Sequence, residues 1–525
     1  MNHLPNVAQS LSRQARSMPD RIAVADLERA LSFRQWNERC CRLANALCGI
    51  GLGKGDRLAV LAFNCVEWME IYGAAAKAGI VVVPVNFRLL ADEIRYLVDD
   101  SGAKALIVQA ELMERIEAIR EGLPIGEQNY IRFGGDAAAA GYRSYEDLIG
   151  RASAREPDVG VADDEIWTLM YTSGTTGRPK GAMRSQERDC LMHSLVARAM
   201  GFGETDSGLL VMPMCHANSL WFSFVFPLLG GRSFVYSRKS FDPEHVLRTL
   251  SEQGITFTSL VPTHYIMMLD LPAAVKARYS GACTEKLLIS SAPARRETKL
   301  AIMEHFPNSK LFEGYGSTEA GWVTILPPHE QLHRLGSIGR EMPGTGRIRL
   351  LSDDGTEVPE GEVGELYFNT PYVFKGYWNM PEKTAQAFRG GYCSVGDMAR
   401  RDPDGYYFLA DRKSNMIISG GENVYPSEVE VMLSAFPKLK EVAVVGVPHA
   451  KWGEAVHAVI VLREGAAASE AEVLDWCKDK IAGYKRPRSV SFVAEEDIPR
   501  TATGKIQHGL LRRRLAKVNA GMASG

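Results

Sequence analysis

From residue 56 to about residue 260, short apolar runs alternate with longer amphipathic segments, and this alternation leaves few architectures open to the chain. The pattern predicts strands over residues 57–62, 80–85 and 105–108 and a helix over residues 66–78. Strands that alternate with helices form βαβ units, in which helices cover the faces of a parallel sheet. The sequence therefore predicts an α/β fold built on parallel sheets.

One helix start is marked clearly by Asp242 and Pro243. Aspartate is a favoured N-cap residue, and proline fits the first helical position because its missing N–H has no partner there. Apolar residues follow at helical spacing, and Gly254 ends the pattern. The β-branched run at 256–260 then predicts the next strand of the sheet.

The pattern changes after about residue 325. Two Asp-Gly pairs, at 354–355 and 404–405, lie beside alternating runs at 365–368 and 406–409. Asp-Gly between alternating runs favours tight hairpins. This part of the chain therefore predicts a smaller β-rich subdomain.

From residue 416 onward the pattern is again compact α+β. It predicts helices over 429–433 and 471–481 and strands over 441–447 and 456–462. The charged and polar residues before it are typical of a connector. We therefore expect a large domain over 1–411, a hinge at 412–415 and a C-terminal domain over 416–525.

The composition excludes several classes of function. Among 525 residues, 61 Lys and Arg nearly balance 63 Asp and Glu, so no global field favours nucleic acid or an anionic membrane. The first 20 residues lack the apolar core of a secretory signal, and the apolar run at 220–229 is too short to span a bilayer. Nine cysteines without a C-x-x-C pair argue against a zinc site or a disulfide scaffold and favour a reduced, cytoplasmic protein.

A glycine- and hydroxyl-rich loop, YTSGTTGRPKG, occupies residues 171–181 directly after a predicted strand at 166–171. Glycines let backbone N–H groups approach an anion, the hydroxyls add donors and Lys180 adds a positive charge, so the loop suits a polyphosphate. The loop does not fit the P-loop of nucleoside triphosphatases, because Gly181 follows Lys180 where Ser or Thr is required. The motif therefore argues against a P-loop kinase or ATPase.

Three strings in a fixed order give the chain a resemblance to a known family: the loop at 171–181, EGYGSTE at 313–319 and PRTATGKI at 499–506. Together they resemble the adenylate-forming enzymes and, within that superfamily, the acyl-CoA synthetases. The resemblance implies a carboxylic acid activated by ATP as acyl-AMP, with pyrophosphate released, and then transferred to the thiol of coenzyme A. It also implies that the small C-terminal domain is mobile.

The resemblance assigns roles at the ATP site. Glu319 would bind Mg²⁺, which prefers oxygen ligands. Tyr315 would flank the adenine, and Thr318 would contact phosphate. The ATP-binding residues that the resemblance implies are Thr172, Ser173, Gly174, Thr175, Thr176, Gly177, Lys180, Ser291, Ala292, Pro293, Glu313, Gly314, Tyr315, Gly316, Thr318, Asp397, Arg412 and Lys505.

Further strings extend the resemblance toward the C-terminus. GYCSVGD at 391–397 is similar to the family's G-[WF]-x-x-[TS]-G-D, which implies that Asp397 accepts hydrogen bonds from the ribose hydroxyls. Arg412 would be a second ribose or phosphate contact. Ser414 takes the hinge position, where the family usually has Asp or Lys. Lys505 would be the catalytic lysine, acting with Glu319, Thr318 and His216.

His216 matches the position that the family uses at the mouth of the acyl pocket, although a structural histidine at a strand end is the alternative. The residues that would line this pocket are His216, Asn218, Leu220, Trp221, Gly314 and Trp322. The set is largely apolar, which favours a hydrophobic acid, aliphatic or aromatic. Ala217 stands where peptide-synthetase adenylation domains place an aspartate, which argues against an α-amino acid.

For the acceptor, Gly420 and Gly421 resemble the glycine pair along which the pantetheine arm runs in CoA ligases. Lys485 and Arg486 offer positive charge for the CoA phosphates, although an exposed solvated loop explains them equally well. The expected partners are a small-molecule carboxylic acid, ATP and CoA, with no nucleic acid and no integral membrane segment; a homodimer is left open. An acyl-AMP ligase acting on a carrier protein, and a silent nucleotide- or acyl-binding relative, are the alternative functions.

Overall fold

The computed structural model describes residues 6–135, 140–172, 179–279, 281–290, 294–419, 422–449, 452–478, 480–501 and 504–522. Contacts group the chain into two units. The first comprises Met1–Arg347 and Phe368–Cys393, and the second comprises Ile348–Tyr367 and Ser394–Gly525. The second unit thus includes segments before residue 411 that the sequence assigned to the large domain. The hinge at 412–415 concerns a motion and stays a prediction.

The strands, in chain order, are β1 (Ile22–Ala25), β2 (Ala30–Ser32), β3 (Arg57–Leu61), β4 (Val81–Val85), β5 (Ala105–Gln109), β6 (Tyr130–Phe133), β7 (Arg143–Ser144), β8 (Ile166–Thr172), β9 (Lys180–Ser185), β10 (Ser207–Leu210), β11 (Arg232–Val235), β12 (Phe257–Leu260), β13 (Lys286–Ile289), β14 (Lys310–Ser317), β15 (Gly321–Leu326), β16 (Arg340–Glu341), β17 (Arg349–Leu351), β18 (Gly364–Tyr367), β19 (Phe388–Arg389), β20 (Tyr392–Cys393), β21 (Asp397–Arg401), β22 (Tyr407–Arg412), β23 (Ile417–Ser419), β24 (Glu422–Val424), β25 (Leu439–His449), β26 (Gly453–Leu462) and β27 (Ser489–Phe492).

The α-helices are α1 (Val7–Ser17), α2 (Phe33–Gly49), α3 (Glu67–Ala78), α4 (Ala91–Ser101), α5 (Met113–Glu117), α6 (Tyr145–Arg151), α7 (Gln186–Met200), α8 (Ala217–Leu229), α9 (Pro243–Glu252), α10 (Pro262–Leu269), α11 (Ala273–Arg278), α12 (Arg296–His305), α13 (Pro381–Ala387), α14 (Pro426–Leu433), α15 (Glu470–Trp476) and α16 (His508–Met522).

Two large sheets form the first unit. One has seven strands in the order β7-β6-β5-β3-β4-β8-β9, and the other has nine in the order β16-β15-β14-β13-β12-β10-β11-β1-β2. Neighbouring strands are parallel except at the edges, where β8–β9, β14–β15, β15–β16 and β1–β2 are antiparallel. Strands such as β4 and β10 are buried along their whole length, as expected for parallel strands covered on both faces. The predicted α/β fold is confirmed.

Helix α9 begins as its sequence predicts. The carboxylate of Asp242 accepts a hydrogen bond from the backbone N–H of His245 at 3.1 Å, and Pro243 takes the first helical position. Gly254 follows the helix with φ of 59°, a left-handed conformation that glycine adopts without steric cost. Local sequence therefore fixes both ends of this helix.

The second unit contains two smaller sheets. A four-stranded sheet has the order β17-β18-β21-β22, and a five-stranded sheet places β27 beside β26 in the order β24-β23-β26-β25. Asp404-Gly405 lies in the turn between the antiparallel strands β21 and β22, which confirms a predicted hairpin. Helices α14 and α16 pack on β25. The predicted β-rich and α+β regions are thus both present.

The nine cysteines are all free thiols. Seven of them are buried, Cys48 is half-buried and Cys283 is exposed. Burial raises the pKa of thiols such as Cys40 and Cys65, which keeps them protonated and unreactive. Within the described ranges, no helix is both long enough and apolar enough to cross a bilayer.

Candidate active site

The two ends of the glycine- and hydroxyl-rich loop lie side by side. Strand β8 ends at Thr172, β9 begins at Lys180, and these two residues are direct partners in the antiparallel pair. The pair forms the edge of the seven-stranded sheet, at the carboxyl end of β8. Ligands of open α/β sheets bind at the carboxyl ends of strands. The predicted phosphate contacts Ser173, Gly174, Thr175, Thr176 and Gly177 lie outside the described residues.

A segment around Tyr377 runs beside β9. The N–H of Trp378 donates to the carbonyl of Gly181 at 2.7 Å, and Tyr377 forms a bridge with Ala182. The ammonium of Lys180 lies 4.0 Å from the centroid of the Tyr377 ring. A cation over an aromatic face is attracted by the ring, so Tyr377 helps to fix the position of the lysine.

Glu319 lies in the turn between β14 and β15, and three groups hold it. Its Oε1 accepts hydrogen bonds from the hydroxyl of Tyr377 at 2.8 Å and from that of Thr172 at 3.3 Å. Its backbone carbonyl accepts from the N–H of Phe374 at 2.8 Å. The residue is 5% exposed. The structure therefore joins the predicted metal ligand directly to the end of the phosphate loop.

Thr318, the predicted phosphate contact, is half-buried. Its carbonyl oxygen accepts a hydrogen bond from a guanidinium nitrogen of Arg184 at 3.4 Å, and the same nitrogen donates to the carbonyl of Tyr372 at 2.9 Å. Arg184 lies on β9 and is fully buried. It therefore braces the turn that carries Glu319 against the segment that carries Tyr377.

Two glycines of β14 are required by close approach of the next strand. A Cβ on Gly314 would lie 2.2 Å from the indole ring of Trp322, and a Cβ on Gly316 would lie 2.3 Å from the carbonyl oxygen of Gly321. Tyr315, between them, is half-buried. The indole of Trp322 thus lies against the backbone of the strand that the sequence assigned to both ATP and acyl groups.

Glu313, predicted at the ATP site, directs its carboxylate to Lys299 of α12 at 2.5 Å. Both side chains are almost fully buried. Burial raises the pKa of Glu313, while Lys299 and a backbone hydrogen bond from Ala294 oppose the rise. The side chain therefore stabilises the end of β14, and a contact with ATP stays a prediction. Ser291, Ala292 and Pro293 lie outside the described residues.

At the predicted acyl site, His216 is the N-cap residue of α8 and is half-buried. Asn218, in the first turn of the same helix, donates from Nδ2 to Ser259 Oγ at 2.9 Å and to Ser290 Oγ at 3.0 Å. The two serines follow from neighbouring strands, since Ser259 lies on β12 and Ser290 directly follows β13. The structure thus adds two hydroxyls that were not among the predicted site residues.

The apolar residues predicted for the acyl pocket are largely buried. Leu220 is fully buried, while Trp221 and Trp322 retain 5% and 7% exposure. The ring of Phe222 lies 5.7 Å from that of Trp322. Phe222 of α8 and Trp322 of β15 therefore form an aromatic contact beside the predicted acyl residues, and the location of the acyl group stays a prediction.

In the second unit, Asp397 and Arg412 face each other across β21 and β22 and form an ion pair at 2.9 Å. Lys505 closes a turn in which its N–H donates to Thr501 Oγ1 at 3.1 Å. Although Lys505 is exposed as a residue, burial around its amine lowers the pKa. The charge of Arg412 lowers it further, and Asp397 opposes the shift. The structure therefore brings together three residues predicted from strings far apart in sequence.

The predicted hinge residue Ser414 is exposed. Asp411, just before it, is hydrogen-bonded at 3.0 Å by both the N–H of Ser427 and the amide of Asn415. Burial raises the pKa of Asp411, and these hydrogen bonds oppose the shift. One carboxylate thus ties the connector to the start of α14.

The two basic residues predicted to meet CoA already have protein partners. Lys485 pairs with Glu428, and Nε of Arg486 donates to the carbonyl of Ile481 at 3.1 Å. Their contact with CoA stays a prediction. Gly420 and Gly421 lie outside the described residues.

Four site residues were missed by sequence reasoning: Tyr377, Arg184, Ser259 and Ser290. Neither Tyr377 nor Arg184 lies within a recognised string. Only the fold brings them beside the strings at 171–181 and 313–319. A signal was available for Ser290, which directly precedes the string at 291–293. Ser259 and Arg184 had no such signal.

Two family models match the chain. That of the AMP-binding enzyme matches residues 11–378, and that of the AMP-binding enzyme C-terminal domain matches residues 428–505. Each unit of the structure is matched in part, and residues 379–427 lie between the two matches. The two matches therefore span the phosphate loop, Glu319 and Lys505.

Among curated proteins, the chain is 36% identical over 507 residues to a feruloyl-CoA synthase of Amycolatopsis sp, covering 96% of this chain and 97% of that protein. It is 35% identical to the long-chain-fatty-acid–CoA ligase FadD13 of Mycobacterium tuberculosis, covering 92% of each chain. Among solved structures, the anthranilate CoA ligase AuaEII in complex with anthranoyl-AMP has a TM-score of 0.88 at 29% identity, covering 99% of each chain.

Proposed function

The chain belongs to the AMP-binding enzyme family, and from this premise we propose how its residues share the work of making an acyl-CoA. The enzyme is an AMP-forming acid–CoA ligase that uses ATP, Mg²⁺ and coenzyme A. In the first step, an oxygen of the substrate carboxylate attacks the α-phosphate of ATP, and pyrophosphate leaves. In the second step, the thiol of CoA attacks the acyl carbon of acyl-AMP, and AMP leaves.

The observation that carries the proposal is the fixed carboxylate of Glu319. Thr172 and Tyr377 both bind Oε1. Among the described residues, no donor binds Oε2, so this oxygen would be open to a cation. Among the described residues, no cluster of three or more His, Cys, Asp or Glu forms a complete metal cage. This arrangement fits Mg²⁺, which commonly takes one or two carboxylates and completes its shell with phosphate oxygens and water.

When bound, Mg²⁺ would supply charge neutralisation for the phosphates. The protein's own contribution is to hold Glu319 in place before the substrates arrive. Preorganised groups of this kind need no reorientation during the reaction, which makes their electrostatic effect large. Lys180, held over the ring of Tyr377, would add positive charge beside the same carboxylate.

Asp397, Arg412 and Lys505 would act on the nucleoside end of ATP. Asp397 would accept hydrogen bonds from the ribose, with Arg412 holding the carboxylate from the other side. The amine of Lys505 would then balance the negative charge that builds up as the carboxylate joins the α-phosphate. Two anions must meet in this step, so a positioned cation lowers its barrier.

We propose a hydrophobic acid as the substrate. The buried aromatic side chains of Trp221, Phe222 and Trp322 support this class, because apolar pockets bind apolar acyl groups by excluding water. The names of the two curated relatives, one acting on an aromatic acid and one on long-chain fatty acids, support the same class. The free thiols and the use of ATP and CoA favour a cytoplasmic location.

The test is a panel of carboxylic acids assayed with ATP, Mg²⁺ and CoA. We expect acid-dependent release of AMP and pyrophosphate with consumption of thiol. Release of ADP, or transfer only to a carrier protein, would contradict the proposal.

The role of Lys505 is tested by separating the half-reactions. Lys505→Ala should lower acyl-AMP formation by about 10²- to 10³-fold, while acyl-AMP supplied from outside is still converted to acyl-CoA. Lys478→Ala, which removes another lysine of the second unit, is the matched control. Equal loss of both half-reactions would refute the assignment.

A further inference from the structure

A polar cluster lies among the residues proposed to bind the acyl group. It consists of Asn218, Ser259 and Ser290, and it is closed by a contact of 3.2 Å between the two serine hydroxyls. Both serines are 4% exposed, and Asn218 is half-buried. Because polar groups are costly to bury without partners, three of them at the edge of an apolar pocket call for an explanation.

The position of the cluster points to a ligand. Ser259 and Ser290 lie at the carboxyl ends of the parallel neighbours β12 and β13, and Asn218 faces them from the first turn of α8. The carboxyl ends of parallel strands form the ligand-binding edge of an open α/β sheet. The cluster therefore lies at the edge where open α/β sheets generally bind their ligands.

The hydrogen-bond pattern decides which way the amide of Asn218 points. With Nδ2 toward the serines, its two N–H groups meet one hydroxyl each, and one serine can still donate to the other. With Oδ1 toward the serines instead, both hydroxyls would donate to Oδ1. No proton would then lie between the two serine oxygens, which are 3.2 Å apart. Oδ1 of Asn218 is therefore left as an acceptor, and no residue that the structure describes donates to it.

A second polar atom on the same helix face is unused. Trp221 lies three residues after Asn218, so both project from one side of α8. Its indole N–H is buried and has no hydrogen-bond partner within the described residues. Buried polar atoms without partners are rare in native proteins, and a bound ligand is one of their explanations.

We propose that the acyl pocket selects an acid that carries a hydrogen-bond donor, a hydroxyl or an amino group, which donates to Oδ1 of Asn218. This inference rests on the proposed function, since it concerns the acid that the ligase activates. A pure hydrocarbon acid would leave Oδ1 without a partner once water is excluded. The pocket therefore favours a donor-bearing acid over a hydrocarbon acid of the same shape, because the hydrocarbon acid leaves Oδ1 as an unpaired acceptor.

The test compares acids that differ at one substituent. Benzoate and cinnamate are each assayed with a hydroxyl, a methoxy group or hydrogen at the ortho, meta and para positions. The hydroxyl can donate, the methoxy group can only accept, and hydrogen does neither. At the best position we expect kcat/KM for the hydroxyl acid to exceed that for the other two by about 10- to 100-fold.

The same ratio is then measured in variants. Asn218→Leu removes the acceptor and should reduce the hydroxyl preference to about threefold or less, whatever the absolute rate. Asn218→Asp keeps an acceptor oxygen and should keep a preference for the donor. Ser223→Ala, which removes a buried hydroxyl that donates only to the carbonyl of Leu220, is the matched control and should keep the ratio.

The outcomes separate this inference from the proposed function. If no acid, either here or in the broader panel of aliphatic and aromatic acids, gives CoA-dependent AMP release, the proposed function fails. If unsubstituted or methoxy acids are used as well as hydroxyl acids, the function stands and the inference is overturned. Retention of the full preference in Asn218→Leu would also overturn it.

Discussion

Arg184 and Asp189 form an ion pair in which neither side chain has any exposure to solvent. The guanidinium also donates to the carbonyls of Thr318 and Tyr372, and the indole N–H of Trp167 donates to the second carboxylate oxygen at 2.9 Å. Every charged oxygen of Asp189 is therefore matched. The pair connects strand β9, which begins at Lys180, to the turn that carries Glu319.

Breaking this pair should destabilise the first unit strongly. Arg184→Met leaves the charge of Asp189 buried and uncompensated, a change that typically costs roughly 3–5 kcal/mol. Arg184→Met with Asp189→Asn removes both charges and should recover part of that free energy of unfolding. Denaturant unfolding of the two variants measures the difference, and equal losses would show that the charge of Asp189 is not the cause.

The hydroxyl of Tyr377 should matter for the first half-reaction. Tyr377→Phe removes one of the two hydrogen bonds that orient Glu319, so acyl-AMP formation should fall by about tenfold. Glu319→Gln removes the charge itself and should cost about 10²- to 10³-fold. Pyrophosphate exchange measures both rates. Tyr142→Phe, which removes a hydroxyl that donates to Glu117, is the control and should leave the rate unchanged.

The pH dependence of the first half-reaction should report on Lys505. Its pKa is lowered, so the charged amine is lost at a lower pH than in an ordinary lysine, and the rate should fall there. Arg412→Gln removes a positive neighbour and should move this basic limb to higher pH. Asp397→Asn removes a negative neighbour and should move it to lower pH. Pyrophosphate exchange at saturating ATP gives the profiles, and shifts in the same direction would contradict the arrangement.

His508 should make the stability of the second unit depend on pH. Burial alone would lower its pKa, but the hydrogen bond of 2.7 Å to Glu430 and the charges of Glu430 and Asp411 raise it above 6.5. A raised pKa in the folded state gives stability that is present below the unfolded value and is lost as pH rises through the folded value. His508→Gln should therefore lower the thermal midpoint more at about pH 5.5 than at about pH 8.5. An equal fall of the thermal midpoint at both pH values would refute a stabilising role of the charged His508.

Trp322 should limit the size of the acyl group. Its ring lies against Gly314, where even one added carbon would approach within 2.2 Å. Trp322→Ala should open this space and raise the ratio of kcat/KM for a bulky acid over a small one by about tenfold. Gly314→Ala should displace the ring and lower the same ratio. Trp476→Phe, in the second unit, serves as the control, and an unchanged ratio in both site variants would place the acyl group elsewhere.

Much of the architecture could be predicted because burial leaves a direct record in the sequence. Strands β3, β4 and β5 appear as apolar runs, and the cap at Asp242 fixes α9 through interactions within a few residues. The predicted helix over 471–481 was too long, since α15 ends at Trp476. Local patterns thus predict which elements exist better than where they end.

The site was predicted only as far as its recognised strings reach. Thr172, Glu319 and Lys505 lie in such strings, whereas Tyr377 and Ser259 come from segments without one. Their roles arise from tertiary packing that brings distant segments together, as in the 2.8 Å bond from Tyr377 to Glu319 across 58 residues. No local pattern encodes a contact of that kind.

The distribution of thiols described above has a practical consequence. Since Cys283 is the single exposed sulfhydryl among nine, a maleimide reagent should attach to one known position of the unmodified enzyme. A dye or spin label placed there, paired with a cysteine introduced in the second unit, would let the motion predicted at Ser414 be followed during turnover.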